Sequence, residues 1–246
     1  MWMLILTGYL TVLLGADSTC EVLTYEIHGK TGRALLCRPE GKGLFPVVVY
    51  NHGAIVDFRG YEQAHSLGYD MQGMALALAR EGFLVFAPIR QSGRGNLPSH
   101  LAEIHQAIAY LKTLPQADTT RMALMGFSRG GALTLRASLQ DEAFRAVILE
   151  APALHPDRVR KLLAETDSLK RPYLLLIEKS DNPRFLRAID TLNALLLRKG
   201  AQTTLIRYDR GGGHRLFWKV DYYWDDVKKF LQNIKKYRTP SRSPAF

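Results

Sequence analysis

Cysteine is scarce in this chain of 246 residues and occurs at positions 20 and 37 alone. The sequence contains no CxxC pair and no Cys/His spacing of the kind that holds zinc, so we expect no structural metal site. The segment EVLTYEIHGKTGRALLCR predicts a hairpin that turns near Lys30 and Thr31. In that register Cys37 lies opposite Thr24 rather than Cys20. We therefore expect the two cysteines to remain unpaired, because a disulfide requires Cα atoms within about 7 Å of each other.

Long hydrophobic runs are few. The run over residues 2–14 is too short to favour a membrane span. Small and polar residues follow it, which is typical of a secretory signal with cleavage after Ala16 or Ser18. No Lys or Arg precedes the run, so an N-terminal anchor or a wrongly assigned start remain alternatives. We expect residues 1–18 to be a signal peptide, the protein to be periplasmic or secreted, and no stable membrane insertion.

Acidic residues are absent after Asp226, whereas six basic residues lie there. Without those six charges, the formal net charge of +10 falls to +4. Apolar residues recur at helical spacing over residues 220–234, which predicts a helix that docks on the body and keeps its lysines in solvent. Because the sequence also lacks interleaved aromatic and basic residues, we expect no nucleic-acid partner. Residues 239–246 are predicted to form a flexible basic tail.

Internal repeats, low-complexity linkers and a second domain are not visible, and a hydrophobic content of 47% suffices for one core. Residues 19–238 are therefore predicted to form a single domain. After the hairpin, apolar runs alternate with helical patterns, which predicts a mostly parallel central sheet with helices on both faces. The predicted helices include one over residues 69–81 and one that Ser99 caps.

Glycine is concentrated around one serine. In MGFSRGG, residues 125–131, Ser128 lies between Gly126 and Gly130, and Gly131 follows. Such crowding indicates a backbone folded so tightly that a Cβ would collide with a neighbour. This pattern is typical of a nucleophile elbow, a sharp turn from a strand into a helix that presents a serine. The predicted elements place Ser128 at such a junction, where the substrate sites of parallel sheets form.

A serine hydroxyl needs a base to take its proton and an acid to orient that base. Of seven histidines, His214 alone follows the last predicted strand, in YDRGGGHRLF, where three glycines let the loop bend over the sheet end. For the acid, IEKSDNP offers Glu178 and Asp181. We favour Asp181, because Glu178 belongs to the predicted strand and Asn182 is the better N-cap of the next helix.

An oxyanion hole needs two backbone N–H groups that point at the developing charge. Arg129, directly after the serine, is predicted to supply one of them. The second is predicted to come from Ala54, or from Gly53, in the NHGA loop. His52 follows the wrong strand to serve as the base, and we expect it to brace this loop through hydrogen bonds together with Gly53. We expect neither a cofactor nor a catalytic metal.

With these motifs in place, the sequence resembles the α/β-hydrolase superfamily, and within it the dienelactone-hydrolase-like and prolyl-oligopeptidase-like serine hydrolases. The resemblance spans roughly residues 47–230 and depends on NHG, the elbow, SDNP and GGGH occurring in that order. It implies the α/β-hydrolase fold. Dienelactone hydrolases carry a cysteine where Ser128 stands, and prolyl oligopeptidases carry a propeller for which this sequence has no room. Residues 153–172 are too few for a large lid domain.

The resemblance and the motifs together predict a serine esterase with an open site. It would cleave a small or medium carboxylic ester through an acyl-enzyme. Three alternatives stay open: a non-catalytic member of the fold, an acyl-transferring member, and a peptidase of the prolyl-oligopeptidase type.

Overall fold

The structure is a computed structural model that describes residues 18–90 and 97–235. The predicted signal peptide, apart from its last residue, and the predicted basic tail lie outside the described residues. Eight strands are described, namely β1 (Thr19–Ile27), β2 (Lys30–Arg38), β3 (Phe45–Asn51), β4 (Leu84–Ile89), β5 (Ala117–Phe127), β6 (Phe144–Glu150), β7 (Tyr173–Glu178) and β8 (Thr203–Tyr208). The α-helices of the described residues are α1 (Ala54–Arg59), α2 (Tyr61–Ser66), α3 (Met71–Arg80), α4 (Leu97–Leu111), α5 (Arg129–Gln140), α6 (Pro156–Ala164), α7 (Pro183–Arg198) and α8 (Trp224–Lys235), and a 3₁₀ helix spans Gly213–Trp218.

All eight strands join one sheet in the order β1-β2-β4-β3-β5-β6-β7-β8. The pairs β1–β2 and β2–β4 are antiparallel, whereas the pairs from β4 to β8 are parallel. This arrangement confirms the predicted α/β fold with a mostly parallel sheet and an N-terminal antiparallel hairpin. It also places the carboxyl ends of β3, β5, β6, β7 and β8 along one edge.

Both faces of the sheet are buried, and strand β3 shows this directly. Val47 and Val49 belong to a core cluster that helix α4 completes with Ile104 and Ala107. The alternate residues, among them Val48, belong to the larger cluster that contains residues of α3 and α8. A strand covered on both faces reads as a continuous apolar run, which is why the sequence of β3 shows no alternation.

The hairpin corrects the prediction made for the cysteines. Its turn lies at His28 and Gly29, whose φ angles are 51° and 70°, and not at Lys30 and Thr31. Two consecutive positive φ angles are the conformation that a two-residue hairpin turn requires. The earlier turn moves Cys37 opposite Cys20, with Cα atoms 4.1 Å apart, and the two form a disulfide.

Helix boundaries near the site also differ from the predictions. The helix predicted over residues 69–81 begins at Met71, because the Asp70 side chain accepts a hydrogen bond from the Gly73 N–H and caps it. Two short helices, α1 and α2, precede it where no helix was predicted. Ser99 lies inside α4, which begins at Leu97, so its predicted capping role is wrong.

The connection between β6 and β7 contains one helix of 9 residues, α6, which agrees with the prediction that no large lid covers the sheet edge. At the chain's end, Lys228 of α8 forms an ion pair with Glu81 at the C-terminus of α3, so this helix docks on the body. Among the described residues, none of the helices combines the length and apolarity that crossing a membrane would require.

Candidate active site

Ser128 occupies the turn between β5 and α5, at the middle of the sheet's carboxyl edge. Its φ of 55° and ψ of −117° lie in a region that residues with a side chain rarely adopt. The Ser128 N–H donates to the Glu150 carbonyl of β6, and its own carbonyl accepts from Ala132 and Ala153. These hydrogen bonds hold the strained residue in place, so the turn has the form of a nucleophile elbow.

The glycines around Ser128 are required by close contacts. A Cβ on Gly130 would overlap the carbonyl oxygen of Asn51, at the end of the neighbouring strand β3. A Cβ on Gly126 would come within 2.7 Å of the Gly130 carbonyl oxygen. One on Gly131 would lie 3.1 Å from Pro152. Helix α5 therefore approaches β3 and β5 more closely than any side chain would allow.

A chain of hydrogen bonds links Ser128 to His214 and Asp181. The Ser128 Oγ lies 2.8 Å from His214 Nε2, and His214 Nδ1 lies 2.9 Å from Asp181 Oδ2. Asp181 is almost fully buried, whereas the His214 side chain is 31% exposed. In the tautomer that fits both bonds, Nδ1–H donates to the carboxylate and Nε2 accepts from the serine hydroxyl. The structure thus brings together the three residues predicted from the sequence.

The second carboxylate, Glu178, does not face His214. It is buried at the end of β7, where its Oε1 accepts hydrogen bonds from the backbone N–H and the hydroxyl of Ser180. Its Oε2 accepts from the Arg210 N–H in the histidine loop. Glu178 therefore ties the turn after β7 to that loop. Asn182 caps α7 by accepting from the Arg184 N–H, which leaves Asp181 to face the histidine.

Two aromatic rings flank His214. The Phe127 ring lies 4.8 Å from the imidazole, and the Phe185 ring at the start of α7 lies 5.3 Å from it, both measured between ring centroids. The 3₁₀ helix carries His214 directly after Gly211, Gly212 and Gly213, whose φ angles are all positive. The loop therefore folds back over the sheet edge and holds the imidazole between two apolar surfaces.

The NHGA loop lies on the other side of the serine. The Gly53 N–H donates to the Tyr69 hydroxyl at 3.0 Å, so this donor is already used. Ala54 is the first residue of α1, and Arg129 is the first residue of α5. The N–H groups in the first turn of a helix have no acceptor within that helix. A Cβ on Gly53 would lie 2.7 Å from the Phe127 ring, so only glycine lets the loop approach the elbow this closely.

His52 is fully buried behind this loop and takes part in an arginine network. Its Nε2 accepts from the Arg90 N–H at 3.2 Å, and its Nδ1 lies 2.9 Å from the Gly53 carbonyl oxygen. The Arg90 guanidinium donates to the His52 carbonyl and pairs through two nitrogens with the buried carboxylate of Asp57. Burial and the nearby Arg90 charge lower the pKa of His52 well below its ordinary value, so the ring stays neutral. These bonds fix the backbone on which Ala54 lies.

The Arg90–Asp57 pair was not predicted from the sequence. Arg90 directly follows β4, at the same sheet edge as the other site residues, and this position was the signal available. Asp57 lies in α1, which was not predicted, so nothing in the sequence linked the two. The Arg129 side chain also approaches Asp57, at 3.8 Å. The ion pair therefore connects the NHGA loop, the end of β4 and the elbow.

Glu150 was also missed. It ends β6 beside the elbow and is completely buried, and its carboxyl makes no hydrogen bond of good geometry with a described residue. Burial raises its pKa to about 8, and the neighbouring Tyr223 hydroxyl offsets this only in part. Tyr50 and Tyr69, whose hydroxyls lie 3.0 Å apart, belong to the same core cluster as Tyr223.

A pocket of about 400 Å³ opens beside Ser128 between α5 and α6. Its walls contain Ala54 and Arg129, several apolar residues and two further arginines. Within residues 18–90 and 97–235, no group of three or more His, Cys, Asp or Glu side chains is arranged to hold a metal ion. The arrangement can support proton transfer and nucleophilic attack by a serine beside a cleft of small-molecule size.

Several solved structures share this fold. A fungal esterase of Rhizomucor miehei superposes with a TM-score of 0.71 at 17% identity and covers 90% of this chain and 84% of its own. An esterase of Pyrobaculum calidifontis gives a TM-score of 0.69 at 17% identity, with 90% and 86% covered. The acylaminoacyl peptidase of Pyrococcus horikoshii gives 0.68 at 18%, with 92% of this chain but 43% of the peptidase covered.

A curated relative from Bacillus subtilis (strain 168), named as the uncharacterized peptidase YtmA, is 27% identical over 124 residues. The match covers 48% of this chain and 45% of the relative, so it spans about half the length of each. The family model described as "Dienelactone hydrolase family" matches residues 94–221, just over half of the chain. That segment contains Ser128, Asp181 and His214, and it includes β5 to β8. The chain belongs to the dienelactone hydrolase family of hydrolases.

Proposed function

We propose that this protein hydrolyses carboxylic esters, with Ser128 as nucleophile, His214 as general base and Asp181 as the acid that orients the histidine. The observation that carries the proposal is the unbroken hydrogen-bond chain from Asp181 Oδ2 through the imidazole to Ser128 Oγ, with distances of 2.9 and 2.8 Å. The strained backbone at Ser128 adds support, because it aims the hydroxyl out of the sheet edge.

The reaction starts when Ser128 Oγ attacks the ester carbonyl carbon and His214 Nε2 takes the hydroxyl proton. The Asp181 carboxylate then stabilises the imidazolium and keeps its Nδ1–H pointed inward. Charge that develops on the carbonyl oxygen is held by the N–H groups of Arg129 and Ala54. We choose Ala54 over Gly53 because the Gly53 N–H donates to Tyr69.

Collapse of the tetrahedral intermediate breaks the bond between carbonyl carbon and alcohol oxygen. The Nε2–H of His214 gives its proton to the leaving alcohol, and an acyl group remains on Ser128. His214 next takes a proton from water, which attacks the acyl carbonyl and releases the acid. If an alcohol or amine other than water attacked the acyl-enzyme, the protein would act as an acyltransferase. If the substrate were a peptide amide instead of an ester, the same residues would make the protein a peptidase.

Fluorophosphonate labelling followed by peptide mass spectrometry tests the nucleophile, and a panel of p-nitrophenyl esters and matched anilides tests the substrate. We expect the label on Ser128 and faster turnover of esters. Ser128→Ala and His214→Ala should each remove nearly all activity, and the double variant should be little worse than either, because the residues act as a unit.

Ser138→Ala is the matched control. Ser138 is a buried serine near the end of α5, the helix that follows Ser128, and its hydroxyl donates to the Leu135 carbonyl, away from the elbow. It should stay unlabelled, and its replacement should leave turnover intact. Labelling of a different serine, or full ester hydrolysis by a folded Ser128→Ala protein, would refute the mechanism. Faster turnover of the anilides would favour the peptidase alternative.

We also propose export from the cytoplasm. The apolar run over residues 2–14 and the small residues after it support a cleaved signal. The Cys20–Cys37 disulfide supports the same location, because disulfides persist in oxidising compartments. N-terminal sequencing of protein recovered from outside the cytoplasm should find a start near residue 17 or 19. Recovery of cytoplasmic protein with Met1 intact would contradict this proposal.

A further inference from the structure

The pocket beside Ser128 combines apolar and basic residues. Ser128, Ala54 and Arg129 line it, together with five apolar residues, Leu97, Ala132, Ala153, Leu154 and Leu162. Its lining also contains Arg136, two turns into α5, and Arg158 of α6. None of the residues that line it is acidic. The pocket therefore offers apolar walls and a positive charge that the proposed catalytic residues do not use.

Arg136 and Arg158 have no acidic partner in the part of the chain that the structure describes, since no carboxylate there lies within ion-pair distance of either. The nearest acid in sequence, Asp157, pairs instead with Arg160 and His155. Arg136 is half-buried and Arg158 is exposed. Two guanidinium groups that line one pocket and have no carboxylate partner can bind an anion through several hydrogen bonds.

The position of His214 indicates which half of an ester enters this pocket. The leaving alcohol must receive its proton from His214 Nε2, so it lies beside the imidazole during the reaction. Neither His214 nor the flanking Phe185 lines the pocket, whereas Ser128 and both proposed oxyanion donors do. A substituent that points away from the histidine belongs to the acyl group. The pocket is therefore placed to receive the acid part of the substrate.

We propose that the pocket selects acyl groups that carry a second, anionic group at their far end, held by Arg136 and Arg158. This inference rests on the proposed esterase function and names its substrate class: monoesters of an acid with a terminal carboxylate or phosphate. Arg136 lies eight positions after Ser128, which is about 12 Å along a helix. Side chains in a helix lean toward its N-terminus, so the distance from Ser128 to the Arg136 guanidinium is shorter than that between the two positions on the helix axis. An acyl chain of several methylenes can span it.

The test compares p-nitrophenyl monoesters of succinic, adipic, suberic and sebacic acid with the esters of monocarboxylic acids of equal carbon number. We expect kcat/KM for the suberic or adipic monoester to exceed that of its neutral counterpart by about tenfold. The preference should shrink as salt is added, because the arginines are partly exposed to solvent. Equal or better turnover of the neutral esters at every chain length would overturn the proposal and leave the esterase function standing.

Variants assign the preference to the two arginines. In Arg136→Gln/Arg158→Gln, the ratio of anionic to neutral kcat/KM should fall to about one, and Arg158→Gln alone, an exposed change, should lower it in part. Arg80→Gln removes an exposed cation at the end of α3, outside the pocket, and should keep the wild-type ratio. Melting curves identify any variant that has failed to fold. An unchanged ratio in a folded double variant would overturn the assignment.

Binding keeps the proposal testable if the chain hydrolyses none of these esters. Suberic acid monoamide, its phosphono analogue and octanamide would be titrated calorimetrically into wild type and the double variant. We expect one or both anions to bind wild type about tenfold more tightly than the neutral octanamide, and to lose that advantage in the variant. The tighter anion identifies the terminal group. Equal binding of all three ligands by wild type would refute the anion site whatever the outcome for ester hydrolysis.

Discussion

The elbow and the histidine loop are both rich in glycine, but they need it for different reasons. At the elbow, Gly126 and Gly130 have φ angles outside the positive range, and a Cβ on either would run into neighbouring backbone. In the loop, Gly211 and Gly212 have φ angles of 76° and 83°, and a Cβ on Gly211 would meet nothing within 4 Å. Packing therefore fixes the serine, whereas backbone conformation fixes the histidine.

This difference assigns separate tasks to the two regions. The position of Ser128 is a property of the core, because β3, β5, β6 and α5 meet beneath it. The position of His214 depends on a surface turn, on the Asp181 carboxylate and on two flanking rings. Damage to the elbow should therefore lower stability and activity together, whereas damage to the loop should lower activity first. The substitutions that follow test this division.

The largest effect is expected from Asp181→Asn, which acts on the histidine without touching the core. Asparagine replaces one carboxylate oxygen by an NH2 donor, removes the negative charge and favours the wrong tautomer of His214. We expect kcat to fall by about 10³- to 10⁴-fold with little change in the melting temperature. Steady-state kinetics beside a melting curve measure both. Glu178→Gln is the control, since Glu178 contacts the loop backbone but not the imidazole; a larger loss of rate there would reverse the assignment of the acid.

Gly130→Ala tests the elbow. The new methyl group would overlap the Asn51 carbonyl. Because the obstructing atoms belong to the backbone, helix α5 or strand β3 would have to move as a whole. We expect the free energy of unfolding to fall by about 3 kcal/mol or more, together with most of the activity. Urea unfolding and ester turnover of the same preparation check this.

Gly131→Ala provides a graded comparison with that variant. There a Cβ would lie 3.0 Å from the Gly126 carbonyl oxygen and 3.1 Å from Pro152, so the overlap is milder and the loss of stability should be smaller. Wild-type stability in Gly130→Ala would show that packing does not fix the elbow.

Gly213→Ala and Gly211→Ala form a matched pair in the loop. Both place a side chain at positive φ, which costs about 1–2 kcal/mol. Only at Gly213 would the Cβ also press on a neighbour, the Ser180 carbonyl oxygen at 3.2 Å. We therefore expect similar melting temperatures but a larger loss of kcat for Gly213→Ala, because His214 is the next residue. Equal kcat values for the two variants would contradict the idea that the loop backbone positions the imidazole.

The same contrast explains what could be predicted from the sequence. The elbow can be predicted from a short segment of sequence, because its tight packing requires glycine at fixed spacing around one serine. Strand order and chain position then sufficed to select His214 and Asp181, since parallel strands bring their carboxyl ends to one edge. The prediction that Asn182 rather than Asp181 caps α7 is confirmed by its bond to the Arg184 N–H.

Features that depend on contacts between distant segments could not be predicted in this way. The Arg90–Asp57 pair joins β4 to a helix of 6 residues that has no amphipathic pattern long enough to detect. In the hairpin, a turn placed two residues too late shifted Cys37 away from Cys20, because each residue of error at a turn changes the register by two. The buried carboxyl of Glu150 acts electrostatically on Tyr50, Tyr69 and Tyr223, which come from β3, the α2–α3 connection and the segment before α8. No local pattern brings these residues together.

The smallest effect on activity is expected at Glu150, which lies beneath the elbow and tests how far the packed region tolerates charge. Its pKa is raised from 4.5 to about 8 by burial, so the folded protein holds a proton there that the unfolded chain has already lost. The stability contributed by this group is therefore present below pH 4.5, declines as pH rises toward 8, and changes no further above it. Glu150→Gln stays neutral at every pH and keeps nearly the same shape. Hence its free energy of unfolding, relative to wild type, should increase between pH 4.5 and 8 and be nearly level outside that window. Urea unfolding at a series of pH values measures this difference, with the exposed Glu142→Gln as a control that should give a flat line. A flat line for Glu150→Gln as well would mean that the carboxyl is ionised in the folded protein, and that the core beneath Ser128 carries a charge that the elbow accommodates.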